Sequence, residues 1–243
     1  METYLFHGKI LPERAQISFE APTRTSNHFV TGNDIQIDVS IKLNQLLVRV
    51  RSNDEWNILD LRNLVLDVVT VDMSMIGFLR GFAYDVEITR VVTEVGKVDA
   101  VFGIDIPCIA EPRQDIDLVS RFKQLAESTN GEHQIYVNRC LVDLNLAMRH
   151  ANDTAFYCYR AIEALRKHCA ATHNLPTGDR NKSKSWETFR DISNVTKQDI
   201  GFVGNYAKEV RHGGPASWDD QTRAQLFIRT WDIIEKYFET LAE

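Results

Sequence analysis

The spacing of apolar residues changes once along the chain, between Pro107 and Pro112. Before this point apolar and polar residues alternate, as in half-buried strands, along the segments Tyr4–Leu11, Ile35–Ile41 and Leu46–Val50. After it, apolar residues recur at three- and four-residue intervals, which is typical of amphipathic helices. The change predicts an α+β protein with two parts: an N-terminal mixed β-sheet domain with one long helix (1–112) and an all-helical bundle (113–243).

The segment Trp56–Gly81 fits either a helix or a strand, because its centre is rich in valine. It is long for a strand, and Gly81 stands where a helix would end, so we predict a helix. Apolar residues at helical spacing form its stripe: Leu61, Val65, Val68, Val69, Met75, Ile76 and Leu79. After it, Phe82–Val92 and Lys97–Ile106 predict a closing hairpin.

The chain carries a formal net charge of −6, with 34 acidic and 28 basic side chains. This balance argues against electrostatic binding of nucleic acid over the whole surface, although a local basic groove is compatible with it. The longest apolar stretch, Leu59–Phe82, contains charged residues such as Asp67 and Arg80, so no membrane span is expected. Because the first residues also lack the pattern of a secretory signal, we expect a cytoplasmic protein.

The four cysteines, Cys108, Cys140, Cys158 and Cys169, form no Cys-x-x-Cys pair. The usual spacing of zinc and redox motifs is therefore missing, and three of these cysteines lie in apolar helical stretches. We interpret them as small core side chains in a reducing compartment. We predict neither a metal site nor a cofactor.

Helical segments fill the second part of the chain. They are Asp115–Ser128, Glu132–Arg149, Asp153–His173, Ser185–Ile192, Lys197–His212 and a terminal helix that begins at Asp219 or Asp220 and continues through Leu241. Between them, Asn174–Ser183 contains Pro176 and Gly178 and predicts a loop.

The first of two polar segments runs from Tyr159 to Arg166. On a helix, one apolar face would hold Ala155, Cys158, Ile162, Leu165 and Cys169. Arg160 and Glu163 would lie beside this face, and Arg166 would lie at its edge, where a buried charge needs a partner such as Glu163 or an acidic group on another helix. We take Arg160, Glu163 and Arg166 as candidate substrate-binding residues. The alternative is an ordinary ion pair on a helix surface.

The second polar segment runs from Asn205 to Gly214. Asn205, Lys208 and His212 share the side opposite the apolar stripe, and Arg211 lies next to them. Arg211 and Lys208 could hold a phosphate, and His212 could exchange a proton near neutral pH. We take His212 and Arg211 as catalytic candidates, with Asn205 and Lys208 as substrate-binding residues. The alternative is helix capping, because basic residues complement a helix C-terminus and Gly213 suits the position that follows it.

These two segments, with Trp186–Ile192 and a long last helix, resemble the HEPN superfamily of small helical domains over residues 113–243. The order of domains also resembles bacterial proteins that place a β-rich domain before a HEPN-like bundle. The resemblance implies a homodimer and a metal-independent ribonuclease of toxin–antitoxin or phage-defence systems. The family's motif is an arginine followed by four to six residues and a histidine. Only His212 corresponds by position, because Asn205, Tyr206 and Ala207 stand where that arginine would be.

Two hypotheses about function follow. In the first, the bundle cleaves RNA as a homodimer, while the N-terminal domain senses a trigger or restrains the bundle, or a regulatory or antitoxin partner does so. In the second, the protein is a non-catalytic binding or scaffold protein that dimerises through the bundle. A third, weaker option is that the basic stretch Arg180–Lys184 binds a nucleotide or second messenger.

Overall fold

A computed structural model describes residues 2–27, 34–93, 99–103, 105–175, 182–214 and 218–241. The chain divides into two compact units, Met1–Ile104 and Asp105–Glu243, a few residues before the predicted boundary at 112. Within the described residues, no helix combines the length and the apolar character needed to cross a bilayer.

The first unit contains one sheet, in which the described strands are β1 (Glu2–Leu11), β2 (Phe19–Glu20), β3 (Arg24–Asn27), β4 (Asp34–Lys42), β5 (Gln45–Ser52), β6 (Asp85–Thr93) and β7 (Asp99–Val101). Their order is β2-β4-β5-β1-β6-β7, and β3 also pairs with β4. Every described pairing is antiparallel, whereas the sequence analysis predicted a mixed sheet. The sequence did not reveal β2 and β3, because they are short and lack an alternating pattern.

One face of this sheet is apolar, and α1 (Ile58–Arg80) packs against it. The predicted alternation is confirmed, since the side chains of Phe6, Ile37 and Val48 are all buried. The helix begins where the Asn57 side chain accepts hydrogen bonds from the N–H groups of Leu59 and Asp60. It ends at Gly81, whose φ of 66° is left-handed. The helical interpretation of this ambiguous segment is therefore confirmed.

The described part of the second unit contains the helices α2 (Pro107–Ala110), α3 (Leu118–Thr129), α4 (Gln134–Arg149), α5 (Thr154–Thr172), α6 (Lys182–Ser193), α7 (Lys197–Arg211) and α8 (Asp220–Glu239). All the predicted helices are present, and the short α2 was not predicted. Helix α6 begins inside the predicted loop 174–183, and residues 176–181 of that loop lie outside the described residues. Helix α5 packs against α4, α6, α7 and α8. Its predicted inward face is confirmed, because Cys158, Ile162 and Leu165 are fully buried.

The turn between β4 and β5 is held by one buried amide. Leu43 and Asn44 both have positive φ, 48° and 66°, as in the tight turns that suit the twist of antiparallel strands. The Asn44 side chain accepts a hydrogen bond from the N–H of Ile17 at 2.7 Å and donates one to the carbonyl of Ile10 at 3.0 Å. Asn44 thus joins the turn to β1 and to the segment that follows β1.

We expect Asn44→Ala to destabilise this sheet by about 2–4 kcal/mol, because it leaves buried backbone groups without partners and strains the left-handed backbone. Hydrogen exchange of peptides from β4 and β5 would measure the change. Leu43→Gly is the control, since it keeps the hydrogen bonds and should leave exchange equal or slower. Equal exchange in Asn44→Ala and the wild type would contradict this account.

Candidate functional site

Helix α7 ends in a complete Schellman motif that positions Arg211 and His212. Gly213 has a φ of 83°, its N–H donates to the carbonyl of Val210, and the N–H of Gly214 donates to the carbonyl of Glu209 at 2.9 Å. The last helical residue is Arg211, and His212 is the cap. Local capping chemistry therefore accounts for the glycines and for the backbone of both candidate catalytic residues.

The side chains of this helix end are open to solvent. Asn205, Lys208, Arg211 and His212 are all exposed, and the inward stripe contains the buried Val203 instead. Among the described residues, the side chains of Arg211 and His212 form no hydrogen bond or ion pair. A guanidinium and an imidazole therefore lie on adjacent residues with no competing partner in the described part of the chain, and either can meet a bound phosphate.

The structure separates Arg160 from this region. The guanidinium of Arg160 lies 3.2 Å from the carboxylate of Asp143 on α4 and stacks on the ring of Phe156. Asp143 is 1% exposed and also pairs with Arg139 at 3.2 Å. Burial raises the pKa of the Asp143 carboxyl, and the nearby Arg139 partly opposes that rise. Arg160 and Arg139 thus compensate a buried carboxylate between α4 and α5, which favours a structural role for Arg160.

Glu163 and Arg166 instead face α6. Glu163 forms an ion pair with Lys182 at 3.5 Å, and the buried guanidinium of Arg166 donates a hydrogen bond to the hydroxyl of Ser185 at 2.6 Å. Arg166 also lies over the ring of Trp186, 5.1 Å from its centroid. The acidic partner expected for Arg166 is not found among the described residues. A hydroxyl and an aromatic ring stabilise this charge instead.

Tyr159 connects the two polar segments. Burial raises the pKa of its phenol, Glu163 adds to that rise, and the positive charges of Arg166 and Arg211 oppose it. Arg211 on α7 therefore lies within electrostatic range of the polar residues on α5. The Tyr159 ring also packs against Gly204, where an added Cβ would lie 3.0 Å from the ring. Of the predicted residues, Glu163, Arg166 and Arg211 thus act electrostatically on one phenol, and Arg160 faces α4.

A groove of about 440 Å³ opens beside Tyr159, between α6 and α7, and Asn205 lies on its wall. The sequence analysis did not name Trp186 as a site residue, although it lines the groove and stacks on Tyr159 with ring centroids 6.2 Å apart. It also missed Arg190 and Lys197, two cations that line the groove. The signal in the sequence was the pair Gly201 and Gly204 inside a predicted helix, since glycine weakens a helix interior and often marks a close approach or an open space.

The other histidine near these segments, His168, belongs to the core. It is buried, and its Nδ1 lies 2.8 Å from the hydroxyl of the buried Tyr237 on α8. Burial lowers the pKa of its imidazole, and the neighbouring His133 and His173 lower it further. His168 is therefore neutral at pH 7 and is no candidate for the exposed site.

The cysteines agree with their interpretation as core side chains. Cys140, Cys158 and Cys169 are buried, and Cys108 is partly buried. Burial raises the pKa of the Cys158 thiol to about 12 and that of Cys169 to about 11. Such thiols remain protonated at neutral pH and are poor nucleophiles.

Two family models match the chain. Residues 4–102 match the N-terminal domain of a domain of unknown function, DUF8168, and residues 122–242 match its C-terminal domain. The chain belongs to the DUF8168 family. No curated protein and no solved structure matches it. The two DUF8168 domains fall within the two compact units, so the whole candidate site lies in the C-terminal domain.

The lowered pKa of His168 predicts how acid affects this DUF8168 protein. At pH values between the lowered folded-state pKa of His168 and its ordinary value of 6.5, the unfolded chain binds more protons than the folded chain. Stability from His168 is therefore present above pH 6.5 and is lost as the pH falls towards the folded-state pKa.

We expect acidification from about pH 7.5 to about pH 5.5 to lower the melting temperature of the wild type more than that of His168→Gln, which does not titrate. Calorimetry over this range would measure the difference. His7→Gln, a change at an exposed histidine of the N-terminal unit, is the control and should keep the wild-type slope. Parallel slopes for the wild type and His168→Gln would show that this imidazole does not carry the effect.

Proposed function

We propose that the helical domain is a HEPN-like, metal-independent ribonuclease, with His212 as the proton-transfer group and Arg211 as the phosphate-binding group. The observation that carries the proposal is the exposed pair at the end of α7, which has no competing partner among the described residues. The charge of Arg211 also acts on Tyr159 of α5. Lys208 and Asn205, on the same exposed side of α7, contribute a charge and an amide to the bound strand.

The proposed chemistry uses the RNA's own 2′-hydroxyl as nucleophile. Its oxygen attacks the adjacent phosphorus, the bond from phosphorus to the 5′ oxygen breaks, and the products are a 2′,3′-cyclic phosphate and a 5′-hydroxyl. A base removes the proton from the 2′-hydroxyl, and an acid protonates the leaving oxygen. Arg211 stabilises the extra negative charge on the phosphate during the reaction.

Because both an acid and a base take part, the proposal includes a homodimer in which each protomer supplies one His212. Exposed apolar side chains on the bundle support an interface with a second copy or with a regulatory or antitoxin partner. They are Leu118, Val119 and Phe122 on α3, and Ile135 and Val142 on α4. In this proposal the protein acts in the cytoplasm in toxin–antitoxin or phage defence, and the N-terminal domain controls the bundle.

A second candidate function is non-catalytic binding or scaffolding. The observation that favours it is the Schellman motif, which explains the sequence Arg211-His212-Gly213 by helix capping alone. In this case the bundle would bind its ligand or partner without turning it over.

We expect the purified protein to cleave single-stranded RNA in the presence of EDTA, and to leave DNA of the same sequence intact because DNA lacks the 2′-hydroxyl. His212→Ala should lower the cleavage rate by about 10²–10⁴-fold, since proton transfer contributes on that scale. Its melting temperature should stay within a few degrees of the wild type, because the side chain is exposed. Gel electrophoresis and mass spectrometry would measure the rate and the cyclic phosphate end.

The matched control is His173→Ala. His173 caps α5 with φ −94° and ψ 12°, and His212 caps α7 with φ −95° and ψ 12°, so both substitutions alter the same kind of cap. Loss of cleavage in the His212 variant alone supports catalysis. RNA binding without cleavage in the wild type would instead favour the second candidate function.

A further inference from the structure

The groove between α6 and α7 has an aromatic wall that is held in place before any ligand binds. Trp186 stacks on Tyr159, contacts the ring of Phe189 edge-on with centroids 6.0 Å apart, and lies beneath the guanidinium of Arg166. Arg166 is 9% exposed and is bonded to Ser185, so it cannot swing away easily. These three contacts hold the indole in a fixed position on the groove wall.

The polar groups of the groove have spare hydrogen-bonding capacity. Within the described residues, Arg190 and Lys197 have no acidic partner within 4 Å, and the indole N–H of Trp186 has no acceptor. Glu187 also lines the groove, and among the described residues its carboxylate accepts only a long hydrogen bond from Ser183, at 3.4 Å. The groove thus offers two cations, an N–H donor and a carboxylate beside an aromatic wall.

Gly201 leaves part of the groove wall without a side chain. It lies inside α7, where glycine is less favourable than alanine by up to about 1 kcal/mol. Gly204 has a packing reason, since it accommodates the Tyr159 ring, but a Cβ added at Gly201 would meet nothing within 4 Å. The glycine at 201 therefore weakens the helix without improving the packing of the protein. What it does is keep the wall of the groove open.

From these observations we infer that the groove is a base-binding subsite for one nucleotide of the RNA strand. The base stacks on Trp186, Asn205 and Glu187 bond to its edge, and Arg190 and Lys197 contact the neighbouring phosphates. The choice of RNA as ligand rests on the proposed function. The subsite itself makes no use of His212, so it can be tested without cleavage.

The experiment measures binding of a fluorescently labelled single-stranded RNA to the non-cleaving His212→Ala protein by anisotropy. Adding Gly201→Met fills the groove with a good helix former and should weaken binding by about tenfold or more, since base stacking contributes on that scale. The melting temperature should stay equal or rise, because a helix-interior glycine is removed. Gln225→Met places the same side chain at an exposed position of α8 and should change neither the RNA affinity nor the melting temperature.

Quenching of tryptophan fluorescence by AMP and GMP, with Trp186→Phe as the control for assignment, tests contact between a base and the indole directly. Loss of RNA affinity in Gly201→Met, together with quenching that disappears in Trp186→Phe, supports the subsite. Equal affinity in Gly201→Met and Gln225→Met would overturn it, even where the wild type cleaves RNA. Conversely, if nucleotides bind this groove but the wild type does not cleave RNA, the subsite is supported and the proposed ribonuclease activity is refuted.

Discussion

Burial of α5 among four other helices is the constraint on which the rest of the helical domain depends. Its residues Cys158, Ile162 and Leu165 are fully buried, and each large apolar side chain buried in this way contributes about 1.5–3 kcal/mol. Because α5 is enclosed over much of its surface, the three polar candidates on it face neighbouring helices. Arg160 meets α4, whereas Glu163 and Arg166 meet α6. The core therefore determines which polar residues can belong to one site.

Periodicity alone was enough to predict most of the fold. Alternation located β1, β4 and β5, and helical spacing with Gly81 identified α1, because burial on one face is recorded directly in the sequence. The site was less accessible, since a single sequence shows which residues share a helix but not which helix lies opposite. Arg160 and Arg166 were both candidate substrate-binding residues, and the positions of Asp143 and Ser185 show that they contact different helices.

Trp186 illustrates the same limit from the other side. In the sequence it is one aromatic residue in an amphipathic helix, a pattern that usually means core. Its place in the groove wall depends on contacts with Tyr159 and Arg166. Both residues lie on α5, so they contact Trp186 on α6 only through tertiary packing. Hydrophobic patterning has no information about such a junction. A helix-interior glycine such as Gly201 is the better guide, because it contradicts local propensity.

The candidate site residues at the two ends of α7 differ in their effect on helix stability. At its C-terminus, the Schellman motif provides hydrogen bonds to the last backbone carbonyls of the helix. Arg211 and His212 lie in this motif without weakening the helix, so helix stability alone also accounts for these residues. Near its N-terminus, the capping box of Thr196 and Asp199 stabilises the helix, while Gly201, two residues after Asp199, weakens it. Helix stability explains the Schellman motif and the capping box, but it does not explain the glycine at position 201. The groove therefore contains a residue that weakens its helix, whereas the residues around His212 all favour helix stability.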